Sequence, residues 1–284
     1  MSNEYAVNIG IVDRPGACAS RCWKERPTRE TCLRNLDKNQ NKNDNASAGI
    51  APFIERLRSH SELDSDDARF LAELPASVRT VSPGHYVVRE RMDHTLCFVL
   101  LSGVMMSHKV GGDGGRQILS IAFPGELLNI ESLFFDRSNQ NIQALREAQV
   151  ASFQCQHLVN AMFERPPIGK ALVRETLIKA SIARQWMTGA RMEAAARVAR
   201  LLCEMAVRLE QSGLGAREKY ELPVTQEQIA EIISVTPLHA SRVMRTLDEE
   251  GLIRRSRPHL EILDWGRLAA RGDFEETYLH GNEA

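Results

Sequence analysis

The stretch from Thr225 to Arg245, TQEQIAEIISVTPLHASRVMR, most constrains the fold because its pattern encodes two short helices joined by a tight turn. Thr225 followed by Gln228 is a capping box, which predicts that the first helix starts at this point. The apolar face of that helix is formed by three isoleucines, Ile229, Ile232 and Ile233. Ser234 and Val235 then interrupt the pattern, so the chain is expected to turn there.

The second helix of the pair is predicted to run from Pro237 to about Glu249, with Thr236 as its N-cap. It carries no acid before Asp248, so the N-terminal half presents a basic, hydrogen-bonding face of the kind that reads DNA bases. A short hairpin with a basic tip follows Gly251. The order helix, turn, helix and hairpin predicts a winged helix-turn-helix, and an ordinary helical hairpin with a solvated charged face is the alternative that spacing alone leaves open.

The segments VTQEQIAEIISVT and SRVMRTLDEEGLI resemble the DNA-binding domain of the cyclic-AMP receptor protein and fumarate-nitrate-reduction regulator (Crp/Fnr) superfamily of bacterial transcription regulators. The order of elements agrees from about Gly49 to the C-terminus. The resemblance implies that Ser241 and Arg242 touch bases and phosphates. Leu238 stands where many members have a glutamate, and leucine cannot accept a hydrogen bond from cytosine, so the half-site sequence is expected to differ from the usual one.

We therefore expect the chain to bind double-stranded DNA. Arg242 and Arg245 would donate to guanine or phosphate, Ser241 and Thr236 to phosphate, and His239 to either. The hairpin arginines, expected to add salt-sensitive phosphate attraction, are Arg254, Arg255 and Arg257. A homodimer would hold two recognition helices about 34 Å apart and read an inverted repeat. RNA polymerase is a further partner that the resemblance implies.

Composition places the chain among ordinary globular proteins, since 284 residues that are 43% hydrophobic can bury two modest cores. No apolar run reaches the roughly 18 residues that a membrane span needs. The N-terminal stretch contains Glu4 and Asp13 and no long apolar segment, so we expect no secretory signal, no membrane partner and a cytoplasmic location. The net charge of −1 does not indicate a globally basic DNA coater, but a sequence-specific regulator needs only a local basic face.

The sequence predicts an α+β fold in four parts. Residues 1–48 are polar and Asn-rich, so a disordered extension is expected. Residues 49–165 contain two helical segments and then short strands between Gly and Pro turns, which indicate an antiparallel barrel or jelly roll acting as sensor. Residues 166–190 form a broadly apolar helix, a dimerisation helix by resemblance and a monomer's core helix otherwise. Residues 191–284 complete the DNA-binding domain.

The resemblance identifies the barrel as a cyclic-nucleotide-binding β-roll, with Gly125 and Glu126 at a hallmark turn. True binders follow this turn, ten or so residues on, with Arg-Ser or Arg-Thr and then Ala; the arginine neutralises the phosphate and the glutamate holds the ribose hydroxyl. Here the matching stretch, RSNQN from Arg137, is displaced by about one residue and lacks the alanine. Gly125, Glu126 and Arg137 are therefore effector-pocket candidates, while the effector is unknown and not expected to be cyclic AMP.

The cysteines suggest an alternative function, that of an oxygen- or redox-sensing regulator with an N-terminal iron–sulfur cluster. Oxygen-sensing family members hold a [4Fe–4S] cluster on N-terminal cysteines and one more from the sensor, because four thiolates are needed. The N-terminal cysteines are Cys18, Cys22 and Cys32. Ala151 stands at the matching sensor position, so Cys97 or Cys155 would have to supply the fourth thiolate. Unligated thiols are the other interpretation, and no metal site is committed.

A remote alternative from another class is a cupin-like β-roll that binds a small molecule or a catalytic metal. Such proteins cluster His and Glu ligands on facing strands, and the spacing of His85, Glu90 and His94 does not reproduce the tight His-x-His pattern. A haem site is disfavoured because His85, His94 and His108 are single histidines among strands. No enzyme activity is therefore expected.

Overall fold

The computed structural model describes residues 49–256 and 258–280. The extension predicted for residues 1–48 lies outside this range. Two short helices come first, α1 (Ala51–Arg58) and α2 (Ser65–Ala72). Asp64 caps α2, because its side chain accepts hydrogen bonds from the backbone N–H groups of Asp66 and Asp67 at 2.8 and 2.7 Å. The two helical segments predicted ahead of the strands are thus confirmed.

The strands that follow build the β-roll. They are β1 (Ser77–Val81), β2 (Tyr86–Val88), β3 (Leu96–Ser102), β4 (Met105–Val110), β5 (Arg116–Ala122), β6 (Asn141–Ala144) and β7 (Ala148–Gln154). One antiparallel sheet has the order β1-β7-β3 and the other β2-β6-β4-β5. Apolar side chains from both sheets share one buried cluster between them, so the sheets face each other as the sequence predicts.

Strand β3 shows why the run LCFVLL lacks polar alternation. Phe98 and Leu100 lie in the layer between the two sheets, whereas Cys97, Val99 and Leu101 pack beneath the helices on the other face. Because both faces of the strand are buried, both need apolar side chains. The short apolar run is a central strand rather than a helix.

Strand β5 departs from the alternation expected of a half-buried strand. The ladder with β4 pairs Ser107 with Ser120 and His108 with Ile118, so Leu119 is an extra residue in a β-bulge. Ile118 and Ile121 are buried as a result, while Leu119 is 38% exposed. A strict alternation with Ile121 and Phe123 would turn Leu119 toward the core, and the bulge prevents this because it shifts the side-chain alternation by one residue.

Helix α3 (Cys155–Glu164) leads into the long helix α4 (Pro166–Thr188), which starts on two prolines. One face of α4 packs on the β-roll and its helices through Ile168, Leu172 and Ile178. The opposite face exposes large apolar side chains. Among the described residues, no helix combines the length and hydropathy that crossing a bilayer requires.

The C-terminal part of the chain contains further helices and a small antiparallel sheet. Its elements are α5 (Ala194–Gln211), β8 (Gly215–Ala216), β9 (Lys219–Glu221), α6 (Gln226–Ile233), α7 (Pro237–Glu249), β10 (Ile253–Ser256), β11 (His259–Ile262) and α8 (Trp265–Gly272). The strands form an antiparallel sheet in the order β10-β11-β9-β8. Short 3-10 helices are Ile130–Leu133, Gly189–Arg191 and Glu276–Leu279. Helices α6 and α7 and the β10–β11 hairpin confirm the predicted winged helix-turn-helix.

Candidate nucleic-acid interface

The first helix of the pair, α6, is fixed by its capping box. The hydroxyl of Thr225 accepts a hydrogen bond from the Gln228 backbone N–H at 3.2 Å, and the Gln228 side chain accepts from the Thr225 N–H at 2.8 Å. The helix ends at Ser234, whose φ of 55° places it in the left-handed region. This residue makes the tight turn that leads into α7.

Helix α7 is anchored along one face. Thr236 accepts a hydrogen bond from the His239 backbone N–H at 3.3 Å and so caps the helix. The buried positions follow the spacing i, i+3, i+4 and i+7 and are Ala240, Val243, Met244 and Leu247. Since this face is packed into the core, the helix presents a defined opposite face to solvent.

The outer face of α7 carries the side chains that the sequence assigned to DNA. We call Leu238, Ser241, Arg242 and Arg245 the recognition stripe; they too are spaced i, i+3, i+4 and i+7. Arg242 and Arg245 are exposed, as are Thr236 and His239. Within residues 49–256 and 258–280, neither arginine forms an ion pair with an acid of its own chain. Two guanidinium groups are therefore available to an external anion.

The wing is tied to the recognition helix. Arg255 donates from Nε to the Asp248 carboxylate at 3.1 Å, which joins β10 to the end of α7. Arg254 is exposed and pairs with Glu261 across the hairpin at 3.3 Å. Arg257 lies outside the described residues. Of the arginines predicted to contact DNA from the wing, Arg255 is therefore paired with Asp248 within the domain, and Arg254 is paired with Glu261 at the solvent-exposed surface.

The back of the helix-turn-helix contacts the β-roll. Arg116 donates to the Glu231 carboxylate at 2.8 Å, and Gln117 donates to the Ile232 carbonyl at 3.2 Å. Ser234 in the turn donates to the Gln117 side-chain oxygen at 2.8 Å. These contacts engage α6 and the turn but leave the recognition stripe on α7 open. Sequence reasoning missed them, since nothing local in the sequence indicates which strand α6 will meet.

A cluster of buried charges connects the same two regions, and we call it the buried charge cluster. Its centre is Arg208 of α5, which donates to Glu126 at 2.9 Å, to Glu204 at 3.0 Å and to the Ile121 carbonyl at 2.6 Å. The guanidinium also lies 4.7 Å from the centre of the Phe123 ring. The other members are Arg56, Glu175 and Lys179.

The charge balance of this cluster keeps its acids ionised. Burial would raise the pKa of Glu126, but the charges of Arg208, Arg56 and Lys179 outweigh burial and hold the pKa below its ordinary value. The same balance holds for Glu175. Burial would raise the pKa of its carboxyl group, but Arg56 at 3.1 Å and the hydrogen bond from His60 lower that pKa below its ordinary value. The cluster is therefore a set of paired charges that joins the β-roll, α4 and α5.

The three effector-pocket candidates are separated. Gly125 has a φ of 91°, and a Cβ there would lie 2.5 Å from the Pro52 carbonyl oxygen, so the turn requires glycine. Glu126 lies beside Leu100 near the end of β3 and faces Arg208. Arg137 is exposed and pairs with Asp93 at 3.0 Å. Because Asp93 precedes the first residue of β3, Arg137 lies near the opposite end of that strand from Glu126. The structure thus does not bring Glu126 and Arg137 together.

The candidate metal ligands either lie outside the described residues or do not group into a metal site. Cys18, Cys22 and Cys32 fall in residues that the structure does not describe. Cys97 is buried in β3, and Cys155 begins α3. In the part of the chain that is described, no three His, Cys, Asp or Glu side chains are grouped so that they could hold a metal ion. His94 instead contacts the Arg89 carbonyl at 3.3 Å, and Glu90 pairs with Lys109.

Comparison with known families and curated proteins matches both halves of the described region. A family model described as a cyclic nucleotide-binding domain matches residues 78–165, and one described as a Crp-like helix-turn-helix domain matches residues 196–271. The nitrogen fixation regulation protein FixK of Bradyrhizobium diazoefficiens is 29% identical over 217 residues, covering 75% of this chain and 90% of that protein. The transcriptional activator protein FnrL of Cereibacter sphaeroides is 24% identical over 72% of this chain and 84% of its own length.

Solved structures agree on the fold. FixK2 from Bradyrhizobium japonicum superposes with a TM-score of 0.64 at 21% identity, covering 69% of this chain and 97% of that one. A mutant of CooA from Carboxydothermus hydrogenoformans gives a TM-score of 0.60 at 18% identity, covering 78% and 96%. Both likenesses, at these identities, concern the fold.

Proposed function

The chain belongs to the Crp/Fnr family of transcription regulators, and on that premise we propose that it binds an inverted-repeat DNA operator as a homodimer. In this proposal residues 49–165 are the sensor, 166–190 the dimerisation helix and 191–284 the DNA-binding domain. The observation that carries it is the recognition stripe, whose two arginines are exposed and have no acidic partner among the described residues. A helix with these properties at its N-terminal half fits the major groove.

The recognition stripe also suggests which side chains would contact bases and which would contact phosphates. Arg242 and Arg245 can each make a bidentate contact with guanine O6 and N7, or pair with phosphate. Ser241, Thr236 and His239 lie near the helix N-terminus, where backbone N–H groups and the helix dipole favour phosphate. Arg254 adds attraction from the wing, whereas Arg255 contributes by holding the wing against α7.

Selection from a pool of randomised DNA duplexes tests this function directly. The purified full-length protein should enrich two inverted half-sites whose centres are about 34 Å apart, which is one helical turn, or a multiple of that spacing. Binding of the selected duplex should fall steeply with salt, because phosphate contacts release counterions. A pool without an enriched sequence, or with a single unrepeated half-site, would contradict the proposal.

Dimerisation through α4 is supported by its exposed apolar face. Val173, Leu177 and Met187 are 51%, 59% and 76% exposed, and they fall on the side of α4 opposite to the buried Ile168, Ala171 and Ile178. Large apolar side chains in a line along a helix indicate a partner surface. A second copy of the same helix would cover both stripes at once and supply the two-fold symmetry that an inverted repeat requires.

Replacing Leu177 by glutamate should dissociate this dimer. An unpaired charge buried at the contact costs about 3–5 kcal/mol, so the dimer dissociation constant should rise by about two orders of magnitude or more. Ala183→Glu is the matched control, because Ala183 is exposed on the same helix about 120° around its axis from Leu177. Sedimentation velocity at micromolar concentration measures both. A wild-type protein that sediments as a 32 kDa monomer would rule out the dimer.

Leu238 should set one base preference. It is 62% exposed at the start of α7 and offers only apolar contact, which suits the methyl group of thymine. Leu238→Glu should shift the preference at that position toward cytosine by about 1–3 kcal/mol, since glutamate accepts from the cytosine amino group. Leu263→Glu, at a leucine 41% exposed outside α7, is the control for the added charge. Competition between operators that differ at one base pair gives the measurement, and an unchanged preference would show that Leu238 does not touch that base.

A further inference from the structure

Two cysteines, Cys97 and Cys155, lie close together on the face of the β1-β7-β3 sheet that packs beneath the helices. In the ladder of β3 and β7, Cys97 is opposite Phe153, and the Cys155 backbone N–H donates to the Thr95 carbonyl at 2.9 Å. Alternate residues of a strand share a face, so Cys155 lies diagonally across from Cys97 on the same side. Both side chains lie at the apolar cluster beneath the helices, where the Cys97 S–H donates to the Phe153 carbonyl at 3.6 Å.

The two thiols differ in access and in acidity. Cys97 is fully buried in the apolar cluster, while Cys155 is partly exposed at the first residue of α3. The neighbouring Cys97 thiol lowers the pKa of Cys155 against the opposing effect of burial, whereas the neighbouring Cys155 thiol and burial together raise the pKa of Cys97. A helix N-terminus further favours a thiolate. Cys155 is therefore the accessible nucleophile, and Cys97 is the thiol held beside it.

We propose that Cys97 and Cys155 form a redox-active dithiol that closes to a disulfide when a hydroperoxide such as hydrogen peroxide reaches Cys155. The Cys155 thiolate attacks one peroxide oxygen, the O–O bond breaks, and after proton transfer water leaves and a sulfenic acid remains. The Cys97 sulfur then attacks the Cys155 sulfur, the S–O bond breaks, and the Cys97 proton leaves with the hydroxide as water. Two thiols are oxidised by two electrons, and one peroxide is reduced to two waters.

Closure would move α3. Diagonal neighbours in an antiparallel ladder have Cα atoms about 7–8 Å apart, whereas a disulfide spans about 4.4–6.8 Å. Cys155 must therefore approach Cys97 by about an ångström, and it carries the first turn of α3 with it. Leu158 and Ala161 of α3 share one apolar cluster with Ile168 and Leu172 of α4. The disulfide would thus act on the helix that we propose as the dimer contact.

Peptide mapping of the full-length protein tests the dithiol. The reduced protein is freed of reductant under argon, treated with a slight molar excess of hydrogen peroxide, alkylated with N-ethylmaleimide and digested without reduction. Mass spectrometry should find the Cys97 and Cys155 peptides linked, with the loss of two hydrogen atoms, in most molecules. Cys203 should remain an alkylatable thiol once the chain is unfolded, because burial raises its pKa to about 12 and keeps it unreactive.

Three variants separate the pair from other thiols. Cys155→Ser should abolish the link and leave Cys97 reduced, whereas Cys97→Ala should leave a Cys155 sulfenic acid that dimedone traps. Cys203→Ala should form the link as the wild type does, and circular dichroism verifies the fold of each variant. The proposal is overturned if wild-type Cys155 remains a thiol, becomes a sulfinic acid while Cys97 stays free, or links to Cys18, Cys22 or Cys32 instead.

Discussion

Replacing Arg242 by alanine should weaken binding to the selected operator by about 1–3 kcal/mol in each half-site, and by about 2–6 kcal/mol for a dimer that loses both copies. The reason is that Arg242 is exposed on α7 and has no acidic partner among the described residues. Its removal takes nothing from the packing of the helix, because the buried face is formed by other residues. The loss should therefore appear in DNA affinity and leave the unfolding midpoint unchanged.

Fluorescence anisotropy with the selected duplex at fixed salt measures this loss. Arg69→Ala is the matched control, since Arg69 is a similarly exposed arginine on α2 whose side chain is 68% accessible and pairs with Asp66 at the surface. Arg242→Lys distinguishes the two possible contacts, because lysine keeps a phosphate attraction but loses the bidentate contact with guanine. If Arg242→Ala binds within about 0.5 kcal/mol of the wild type, the recognition stripe is assigned to the wrong helix face.

The helix-turn-helix could be predicted from sequence because its determinants are local. Thr225 and Gln228 cap α6 with their own side chains, and Thr236 with Pro237 starts α7, so neighbours within a few residues fix each boundary. The wing follows from the short separation of β10 and β11. The exposure of Arg242 also follows locally, from the apolar spacing of the opposite face.

The rest of the site depends on contacts between residues that are far apart in the sequence, and a single sequence carries no local signal for such contacts. Glu126 was proposed to face an effector, but its carboxylate meets Arg208, 82 residues further along the chain. Arg116 and Glu231, which join the β-roll to α6, are 115 residues apart. The bulge at Leu119 likewise depends on the register with β4 and not on the composition of β5. Such pairs can be named only once the topology is known.

The buried charge cluster gives the largest expected effect on stability. Arg208→Met should lower the free energy of unfolding by about 3–5 kcal/mol, because it leaves the carboxylates of Glu126 and Glu204 buried without the guanidinium that both contact. Arg267→Met is the control: its partner Asp264 lies 3.9 Å away at the surface, where such pairs contribute about 0–1 kcal/mol. Urea unfolding followed by tryptophan fluorescence measures both, since Trp186 donates to Glu204 at 2.9 Å.

The acidic limb of the stability profile tests the same cluster independently. Glu126 has a folded-state pKa below its unfolded value of 4.5, so its contribution is complete above that pH and is lost as the pH falls through the lower folded value. The difference between wild type and Arg208→Met should therefore be largest near neutral pH and shrink below about pH 4.5. Adding Glu126→Gln to Arg208→Met should restore part of the loss, because one uncompensated buried charge is removed. A double variant no more stable than Arg208→Met would mean that Arg208 acts through its packing on Phe123 and not through its charge.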